Sequence, residues 1–479
     1  MSAESTKSGP PLQTSLSIDF LIIGGGIAGL AAAIALRRVG HNALLLEKAD
    51  RASARGFGGG VRLPPNLTKI LFHWGLKPTL MRRALISHTM TFMKYESSEY
   101  LGEHVWDKGV LKETRGVYML TTHDDLYEIL YEKAVELGAE VRYNANVVDI
   151  DVDNPQVTLE NGQTLSGDVL VGADGEFGVS RGIVVGSPAD GHPTGVAMYD
   201  ALIPSEELEE YIQSIWKDNA IFTAFGNNQA MLAYPVHGTD EIALQFYGPD
   251  NIAGNYGDDP SVYVPDIAKG LHANLLSHMS KADKAVRISV RAHEDIEDWV
   301  SDDGPLVVIG EAAHPFPPGT IQATAMAVED GAVLAKLFSH LSEERQIQSF
   351  LYAFQELRQP RTRAVRAGEF GNIFYMTLED CDETARRDSG MRAKAAEGGK
   401  NVLEGLAGDV SRLWDEVRTI FGYDCEDEAD DWWMEWGVLR ERAIQRSSLI
   451  MEEESMLFDF SAMAVQVQEA EVADEHSDE

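Results

Sequence analysis

The chain has 479 residues and a mass of 52.6 kDa, which is more than one compact core usually holds, so two or three domains are expected. Its 77 acidic and 40 basic residues give a formal net charge of −37. Such a charge repels nucleic-acid phosphates and anionic lipid headgroups, which excludes both as primary partners. The two cysteines, Cys381 and Cys425, cannot build a disulfide framework and predict a reducing, cytoplasmic setting.

The first 16 residues are polar and lack the apolar core of a signal peptide, so residues 1–16 are predicted to form a disordered tail. Residues 20–36 are apolar and raise the question of a membrane span. The glycines within this run favour a turn over a lipid-facing helix. No membrane span is expected there or elsewhere in the chain.

A strand–turn–helix–strand pattern opens the ordered part of the chain. Residues 17–23 are β-like, residues 30–38 are strong helix formers, and residues 41–47 form a second apolar strand that ends in an acid. In this order the three segments predict one βαβ unit.

The turn inside this unit carries the pattern G-x-G-x-x-G. It is formed by Gly24, Gly26 and Gly29, and Glu47 ends the second strand about 20 residues further on. The glycines let the backbone approach a pyrophosphate, and the helix N-terminus attracts the phosphates. The acid accepts hydrogen bonds from ribose hydroxyls. The unit therefore predicts a dinucleotide-binding domain of the Rossmann type.

The remaining predicted elements alternate between helix and strand, then form a β-rich stretch, and finally become mostly helical. They are a helix over 124–137, strands over 140–152, 156–159 and 165–171, antiparallel strands between 194 and 290, a strand over 306–309, a helix from about 325 to 341, and helices after 346.

Two later motifs follow buried strands in the same order. Gly172-Ala-Asp174-Gly175 follows the strand over 165–171, and Gly310-Glu311-Ala-Ala-His-Pro315 follows the strand over 306–309. Together with the first glycine turn they resemble the class A flavoprotein monooxygenases. These are single-component FAD hydroxylases that include salicylate hydroxylase-like enzymes and enzymes of fungal secondary metabolism. The resemblance runs from residue 17 to about residue 437, and Arg358-Gln-Pro-Arg361 and Phe421-Gly-Tyr-Asp424 agree with it.

The resemblance implies an α/β fold in which a Rossmann-type FAD-binding domain is interleaved with a β-sheet substrate domain, followed by a helical C-terminal part. The predicted divisions are a disordered tail (1–16), the first part of the FAD-binding domain (17–193), the β-rich substrate domain (194–294), the second part of the FAD-binding domain (295–365), a helical region (366–460) and an acidic disordered tail (461–479).

The resemblance also implies noncovalent FAD, with NADPH or NADH as the reductant. The glycines of the first turn would hold the pyrophosphate, Glu47 the ribose, Glu311 the ribitol chain, and the backbone at 322–324 the pyrimidine end of the flavin. The implied cofactor residues are Gly24, Gly26, Gly29, Glu47, Gly60, Arg62, His123, Asp174, Gly175, Glu311, Gln322, Ala323 and Thr324.

Three of these residues depart from the family pattern. Glu311 replaces the usual aspartate, Ala323 replaces a glycine, and His123 replaces an arginine that contacts FAD. A histidine donates hydrogen bonds but is not reliably charged at neutral pH. FAD binding is expected to survive these changes.

The implied reaction is hydroxylation or epoxidation of a small aromatic or polycyclic molecule, in secondary metabolism. In the family NAD(P)H reduces the flavin, O₂ adds at C4a, and the hydroperoxide transfers one oxygen atom to the substrate. Tyr199 and Asp200 lie where the family often has an aromatic–arginine pair, and they are the candidate catalytic residues. Aspartate removes the cation that would bind a carboxylate or phenolate, which predicts a neutral substrate or one with a basic nitrogen. Tyr234 is a second candidate for the pocket wall.

Two other functions remain open. The departures at Glu311, Ala323 and His123 are compatible with a non-catalytic flavin-binding protein. Another flavin oxidoreductase of the same fold, such as a halogenase, is the second alternative. The chain lacks the Trp-x-Trp-x-Ile-Pro segment of that group, because Trp432-Trp-Met-Glu-Trp436 has a different spacing. No metal site and no covalent flavin attachment are expected, and the oligomeric state is not predicted.

Overall fold

The structure, a computed structural model, describes residues 12–55, 59–186, 191–205, 219–236, 240–250, 261–273, 276, 284–403, 417–439 and 442. Within these residues it confirms the predicted α/β architecture. The predicted acidic tail, 461–479, lies outside the described residues. The chain divides into two compact units, Met1–Cys425 and Glu426–Glu479, and the site described below lies in the first.

The described strands form four sheets. Their bounds are β1 (Asp19–Ile23), β2 (Asn42–Leu46), β3 (Gly60–Leu63), β4 (Leu85–Ile86), β5 (Thr89–Lys94), β6 (Tyr100–Val105), β7 (Met119–Thr122), β8 (Glu140–Arg142), β9 (Val147–Asp151), β10 (Gln156–Leu159), β11 (Thr164–Ser166), β12 (Val169–Gly172), β13 (His192–Pro204), β14 (Ile221–Gly226), β15 (Gln229–Val236), β16 (Glu241–Pro249), β17 (Ser261–Tyr263), β18 (Lys284–Ala292) and β19 (Leu306–Val308).

The described α-helices are concentrated before residue 140 and after residue 320. They are α1 (Ile27–Arg38), α2 (Pro65–His73), α3 (Lys77–Arg83), α4 (Lys108–Glu113), α5 (His123–Glu136), α6 (Val179–Val185), α7 (Val264–Ile267), α8 (Ala323–Phe338), α9 (Ile347–Met376), α10 (Asp382–Ala396) and α11 (Cys425–Trp432). None of the described helices combines the length and apolarity needed to cross a bilayer.

A parallel sheet in the order β19–β12–β1–β2–β8 forms the core of the dinucleotide-binding domain. The predicted βαβ unit is β1, α1 and β2. Strand β1 is fully buried after Asp19. Helix α1 is buried from Ile27 to Leu36, because it packs against β1 and β2 on one side and against helices α5 and α8. Because β1 and β12 are parallel neighbours, their carboxyl ends lie side by side, where ligands bind in such folds.

A larger sheet in the order β17–β18–β13–β16–β15–β14–β5–β6 forms the second layer. It is antiparallel except between β14 and β5, which run parallel with Ile221 opposite Met90. The prediction assigned residues 17–193 to the dinucleotide-binding domain, but β5 and β6 belong to the larger sheet. The sequence pattern did not reveal this, because the pairing joins segments more than one hundred residues apart.

Two predicted strands are each divided in the structure. The strand predicted over 140–152 is β8 and β9, separated by a turn in which Asn144 has a φ of 54°. The strand predicted over 165–171 is β11 and β12, with Gly167 between them. A side chain at Gly167 would begin 3.0 Å from the carbonyl oxygen of Asp19, so the backbone approaches β1 closely there.

The end of the predicted N-terminal tail is bonded to the body of the protein. The backbone N–H of Thr14 donates to the carbonyl of Val39 at 2.9 Å, and that of Leu16 donates to the carbonyl of Leu341 at 3.1 Å. Residues 1–11 of the same predicted tail lie outside the described residues.

The small sheet β3–β7–β4 connects the two layers. Strand β3 packs against β13 and β16 of the larger sheet. Its first residue, Gly60, approaches so closely that a Cβ atom there would lie 2.3 Å from the Cβ of Ala243. This contact and the packing of Gly59 against Asp200 bring the start of β3 onto the sheet face that lines the site.

Candidate active site

A cavity of about 370 Å³ lies between the carboxyl ends of the parallel strands and one face of the larger sheet. Its described lining comes from the first glycine turn, β3, the Asp174 motif, the larger sheet and the start of α8. These residues are Gly26, Ile27, Ala28, Gly59, Gly60, Val61, Arg62, His123, Ala173, Gly175, Met198, Asp200, Tyr234, Gln245, Ile288, Glu311, Pro318, Gly319, Thr320, Ala323, Thr324 and Ala327.

The backbone of the glycine turn packs closely against neighbouring backbone segments. Gly24 has a φ of 106°, and a Cβ atom there would lie 2.3 Å from the carbonyl oxygen of Ala173. A Cβ atom at Gly29 would lie 2.0 Å from the carbonyl oxygen of Gly24, so the helix packs directly on the turn. By contrast, no atom lies within 4 Å of a Cβ position at Gly26. The space beside Gly26 is open to the cavity and can accommodate a pyrophosphate.

Two helix N-termini face this cavity without a side-chain cap. Gly26 precedes α1 and Gln322 precedes α8, and neither helix has an acidic residue in its first turn. Helix N-termini carry backbone N–H groups without intrahelical partners and a partial positive charge. The two ends can therefore bind anionic or carbonyl oxygens of a ligand in the cavity.

Glu47 lies beside the glycine turn and is not among the residues that line the cavity. Its carboxylate accepts hydrogen bonds from the backbone N–H of Gly25 at 2.7 Å and from that of Ala49 at 2.8 Å. These bonds fix the side chain next to Gly25 and leave lone pairs on both oxygens for further donors.

Asp174 and Gly175 lie beyond β12. Asp174 Oδ2 accepts a hydrogen bond from Ser180 N at 3.0 Å, whereas Asp174 Oδ1 is buried without a hydrogen-bond partner among the described residues. Burial raises the pKa of the Asp174 carboxyl group, although hydrogen bonds from the start of α6 oppose this effect. Gly175 lines the cavity with a φ of 84°. The unpartnered oxygen can accept a hydrogen bond from a ligand.

Glu311 extends into the cavity from the turn after β19. The residue is exposed to the cavity, while the surrounding protein partly desolvates its carboxyl group. This desolvation raises the pKa of Glu311 to about 7, and the nearby Glu176 adds to the effect. A carboxyl group in this position can hydrogen-bond to hydroxyl groups of a ligand in either protonation state.

The far end of the cavity lies between β3 and the larger sheet. Arg62 is buried, and its Nη2 donates to the carbonyl oxygen of Gly319. His123 begins α5 and lines the cavity, and its backbone N–H donates to the carbonyl oxygen of Gly59 at 2.8 Å. Gly60 and Arg62 both line the cavity, and their role toward the cofactor stays a prediction.

The structure separates the two candidate catalytic residues. Asp200 lines the cavity, but Tyr199 packs on the opposite face of β13 in a hydrophobic cluster that includes Tyr95 and Phe246. Successive side chains of a strand point to opposite faces, so one face cannot hold both residues. The hydroxyl of Tyr199 donates to the carbonyl of Pro249 at 3.4 Å, which gives it a partner outside this cavity.

A second cavity of about 550 Å³ adjoins the first and shares Arg62 and Thr320 with it. Its described lining is mainly apolar and aromatic, and its polar side chains include Glu369 and Asn372 of α9. The lining residues are Arg62, Met90, Phe92, Trp106, Thr223, Phe225, Leu232, Tyr247, Thr320, Ile321, Gln322, Glu369, Asn372, Ile373, Tyr375, Met376, Glu383, Leu403, Val417, Ile420 and Phe421.

Gln322 lines this second cavity, whereas Ala323 and Thr324 line the first. The Gln322 side chain is buried, and its Oε1 accepts a hydrogen bond from Asn66 Nδ2 at 2.9 Å. The predicted role of residues 322–324 concerned their backbone. The start of α8 forms part of the wall between the two cavities.

A buried charge network supports that wall. Asp330 on α8 accepts hydrogen bonds from His314 Nε2 at 2.6 Å and Arg358 Nε at 2.8 Å. Arg358 also donates to Glu329 at 2.8 Å. Its side chain is fully buried, and the attraction of Glu329 and Asp330 overcomes desolvation and raises the pKa of the guanidinium. His314 therefore has a structural role in this network.

Several residues that line the two cavities were not predicted from the sequence. Gln245 is a polar residue within the apolar run of β16, and this break in the pattern was the available signal. Gly319 has a φ of 69°, which could have marked a turn, since it follows two prolines. Glu369 gave no comparable signal, because polar residues are common on a long helix such as α9.

Together these features fit FAD. The open space at Gly26 and the two uncapped helix N-termini provide contacts for phosphate groups. The unpartnered oxygen of Asp174, between the lining residues Ala173 and Gly175, can accept a hydrogen bond from a hydroxyl group of a dinucleotide. Among the residues that the structure describes, no group of three or more His, Cys, Asp or Glu side chains is arranged to hold a metal ion.

Comparison with known proteins agrees with this interpretation. The model of the family described as FAD binding domain matches residues 17–368. The FAD-dependent monooxygenase OpS4 of Beauveria bassiana is 28% identical over 382 residues, which cover 78% of this chain and 89% of that protein. The 3-hydroxybenzoate 6-hydroxylase of Klebsiella oxytoca is 26% identical over 362 residues, which cover 74% and 88% of the two chains.

A solved structure with the same fold is that of Klebsiella pneumoniae HpxO complexed with FAD and uric acid. It has a TM-score of 0.70 at 18% identity and covers 86% of this chain and 98% of that chain. The family match and the relatives confirm the predicted resemblance and the predicted cofactor, FAD.

Proposed function

Because the chain belongs to the FAD binding domain family, we propose that it is a monooxygenase that uses NAD(P)H and O₂ to hydroxylate or epoxidise an aromatic or polycyclic small molecule. The observation that carries the proposal is the pair of adjoining cavities. One has the features of a dinucleotide site, the other is mainly apolar, and they share Arg62 and Thr320. A cofactor and an organic substrate can therefore meet at this boundary.

In the first cavity the chain's own residues bind and orient the cofactor. The N-terminus of α1 and the open space at Gly26 would receive the pyrophosphate, with Gly24 and Gly29 shaping the turn. Glu47 would bind the adenosine ribose, and Glu311 the ribitol chain. The remaining contacts are proposed for His123, Asp174, Gly175, Gly60, Arg62 and the backbone of Gln322, Ala323 and Thr324.

When bound, FAD would accept hydride from NAD(P)H and activate O₂. The protein orients the substrate and limits access of water to the reacting atoms. Trp106, Phe225 and Phe421 line the second cavity and provide apolar surface for a planar substrate. Asp200 replaces Tyr199 as the proposed substrate-facing residue of β13, because it lies at the end of the cofactor cavity that contains Arg62, which also lines the second cavity.

The names of relatives support an aromatic substrate, since 3-hydroxybenzoate 6-hydroxylase acts on a phenolic ring. A place in secondary metabolism remains a proposal from the resemblance to fungal enzymes. Cys381 and Cys425 form no disulfide, which is compatible with the proposed cytoplasmic location.

Purified protein tests the proposal directly. It should be yellow, and a substrate should stimulate oxidation of NADPH or NADH with uptake of O₂. Incubation with metabolite pools under ¹⁸O₂ should yield a product whose mass increases by one heavy oxygen atom. A protein that binds FAD but gives no oxygenated product with any pool would instead support the non-catalytic alternative. A halide-dependent product would support the halogenase alternative.

A further inference from the structure

Three polar atoms on one face of the larger sheet point into the cofactor cavity without partners. They are Asp200 Oδ1, Gln245 Oε1 and Tyr234 OH, and each is buried with no hydrogen-bond partner among the described residues. Tyr234 is 0% exposed and Gln245 is 1% exposed. We refer to these three residues as the acceptor cluster.

The strand register explains why they converge. Asp200 of β13 lies directly opposite Gln245 of β16. On β15, Tyr234 lies opposite Ala243, which is two residues from Gln245 and therefore on the same face of the sheet. Three neighbouring strands thus present one polar side chain each to the same region of the cavity.

The start of β3 fixes these side chains. Gln245 Nε2 donates to the carbonyl oxygen of Gly60 at 3.1 Å, so Oε1 is the atom left without a partner. A Cβ atom at Gly60 would lie 2.8 Å from Tyr234 OH, and one at Gly59 would overlap the carboxylate of Asp200. Because the backbone of these two glycines packs against the cluster, its side chains have little freedom to find partners elsewhere.

The nearby cation, Arg62, does not supply the hydrogen bonds that the acceptor cluster lacks. Arg62 is 5.9 Å from the centre of the Tyr234 ring, measured from its guanidinium carbon, but its Nη2 donates to Gly319. Buried polar atoms are rarely left unpaired in proteins, so several together indicate a ligand. A carboxylate and an amide oxygen accept hydrogen bonds, and the tyrosine hydroxyl can also accept. The complementary ligand group is a donor.

We propose that Asp200, Gln245 and Tyr234 bind a hydrogen-bond-donating nitrogen of the substrate, with Asp200 as the residue that favours amines over carboxylates. The inference rests on the proposed function in that it takes the far end of the cofactor cavity as part of the substrate site. Burial raises the pKa of Asp200 to about 7, so above this pH the carboxylate is charged and attracts a protonated amine while it repels a carboxylate.

Two probes of the same size test this recognition. Benzylamine carries a donating ammonium group and benzoate carries an acceptor carboxylate on the same ring. Binding of each to the FAD-loaded protein is measured by calorimetry, so that turnover is not required. The wild-type protein should bind benzylamine more tightly by about tenfold or more, which is the range of a hydrogen bond to a charged group.

Matched variants show which residue causes the preference for benzylamine. Asp200→Asn keeps the size of the side chain and should remove the preference for benzylamine, and Tyr234→Phe should weaken benzylamine binding without favouring benzoate. Asp149→Asn removes a carboxylate from an exposed position on β9 and should retain the wild-type preference. FAD content is measured for every variant.

Four results would overturn the inference: tighter binding of benzoate, no binding of either probe, survival of the preference in Asp200→Asn, or loss of FAD from that variant. The last would assign the cluster to the cofactor. The proposed function fails separately, since absence of NAD(P)H oxidation and oxygenated product would refute the monooxygenase while leaving the amine preference intact.

Discussion

The carboxylate of Glu369 accepts a hydrogen bond from the backbone N–H of Gln322 at 3.0 Å. This contact joins the long helix α9 to the residue that precedes α8, at the wall between the two cavities. Burial raises the pKa of Glu369, although the charge of Arg62 and hydrogen bonds from the backbone oppose the effect. The position of the α8 N-terminus therefore depends on a side chain that faces the neighbouring apolar cavity.

We expect Glu369→Ala to weaken FAD binding, because the chain before α8 loses its anchor. A typical hydrogen bond within a protein contributes about 0.5–1.5 kcal/mol, so its loss should weaken FAD affinity by up to roughly tenfold. Titration of apoprotein with FAD, followed by flavin fluorescence, measures the change. Glu369→Gln should recover part of the affinity. Glu383→Ala removes another carboxylate of the apolar cavity and should leave FAD affinity unchanged.

Gly26→Val should yield a folded protein without FAD. No atom lies within 4 Å of the Cβ position at Gly26, so the fold can accept the side chain while the space for the pyrophosphate is filled. The absorbance ratio of flavin to protein after purification, together with circular dichroism, distinguishes loss of cofactor from misfolding. Gly368→Val, at an exposed glycine of α9 with equally open space, provides the control. Retention of flavin by the Gly26 variant would contradict the assignment.

Glu311→Ala should reduce FAD occupancy more than Glu311→Asp does. A carboxylate at this position is expected to accept a hydrogen bond from the ribitol chain, and aspartate keeps the acceptor that alanine lacks. The expected loss for alanine is about 1.5–3 kcal/mol, or roughly ten- to hundredfold in affinity. Equal FAD dissociation constants for the wild type and the alanine variant would remove Glu311 from the cofactor site.

The raised pKa of Glu311 predicts a pH dependence of the apoprotein. Its pKa is about 7 in the folded state because the surrounding protein partly desolvates the carboxyl group, against an ordinary value of 4.5. Between these values the unfolded chain releases the proton first, so the contribution of Glu311 to stability falls as the pH rises from 4.5 to 7. Glu311→Gln cannot ionise and should raise the melting temperature more at pH 8 than at pH 5. An equal effect at both values would contradict the raised pKa.

Removal of the buried cation of Arg358 should strongly destabilise the protein. Arg358→Met leaves Glu329 and Asp330 with fewer compensating charges in a fully buried position, and breaking such a pair typically costs about 3–5 kcal/mol. The midpoint of urea unfolding measures the effect. Arg142→Met breaks the exposed pair with Glu140 and should cost only about 0–1 kcal/mol. Similar midpoints for the two variants would contradict a structural role for the network.

The sequence was most informative where function depends on local backbone geometry. Gly24, Gly26 and Gly29 could be interpreted from their spacing, because the turn, the strand before it and the helix after it are contiguous in the chain. Asp174 and Glu311 could be found for the same reason, since each follows a buried strand. Their predicted roles remain proposals, but the cavity position of Glu311 and the unpartnered oxygen of Asp174 support them.

The parts that the sequence did not reveal depend on contacts between distant segments. Tyr199 and Asp200 are adjacent in the chain, and only the packing of β13 determines which of them faces the cavity. Gln245 joins Asp200 through the register of β13 and β16, and Glu369 reaches Gln322 from another helix. Neither relationship has a local signature. The substrate site is therefore harder to predict than the cofactor site.

The parallel pairing of β5 with β14 limits how this enzyme can be recombined with its relatives. A chimera that exchanges only residues 194–294 would leave β14 of one parent beside β5 of the other, with mismatched side chains along the shared edge. An exchange that also carries residues 89–105 would transfer β5 and β6 with the rest of their sheet. Grafting a new substrate preference onto this scaffold therefore requires two separate pieces of the gene to be exchanged together.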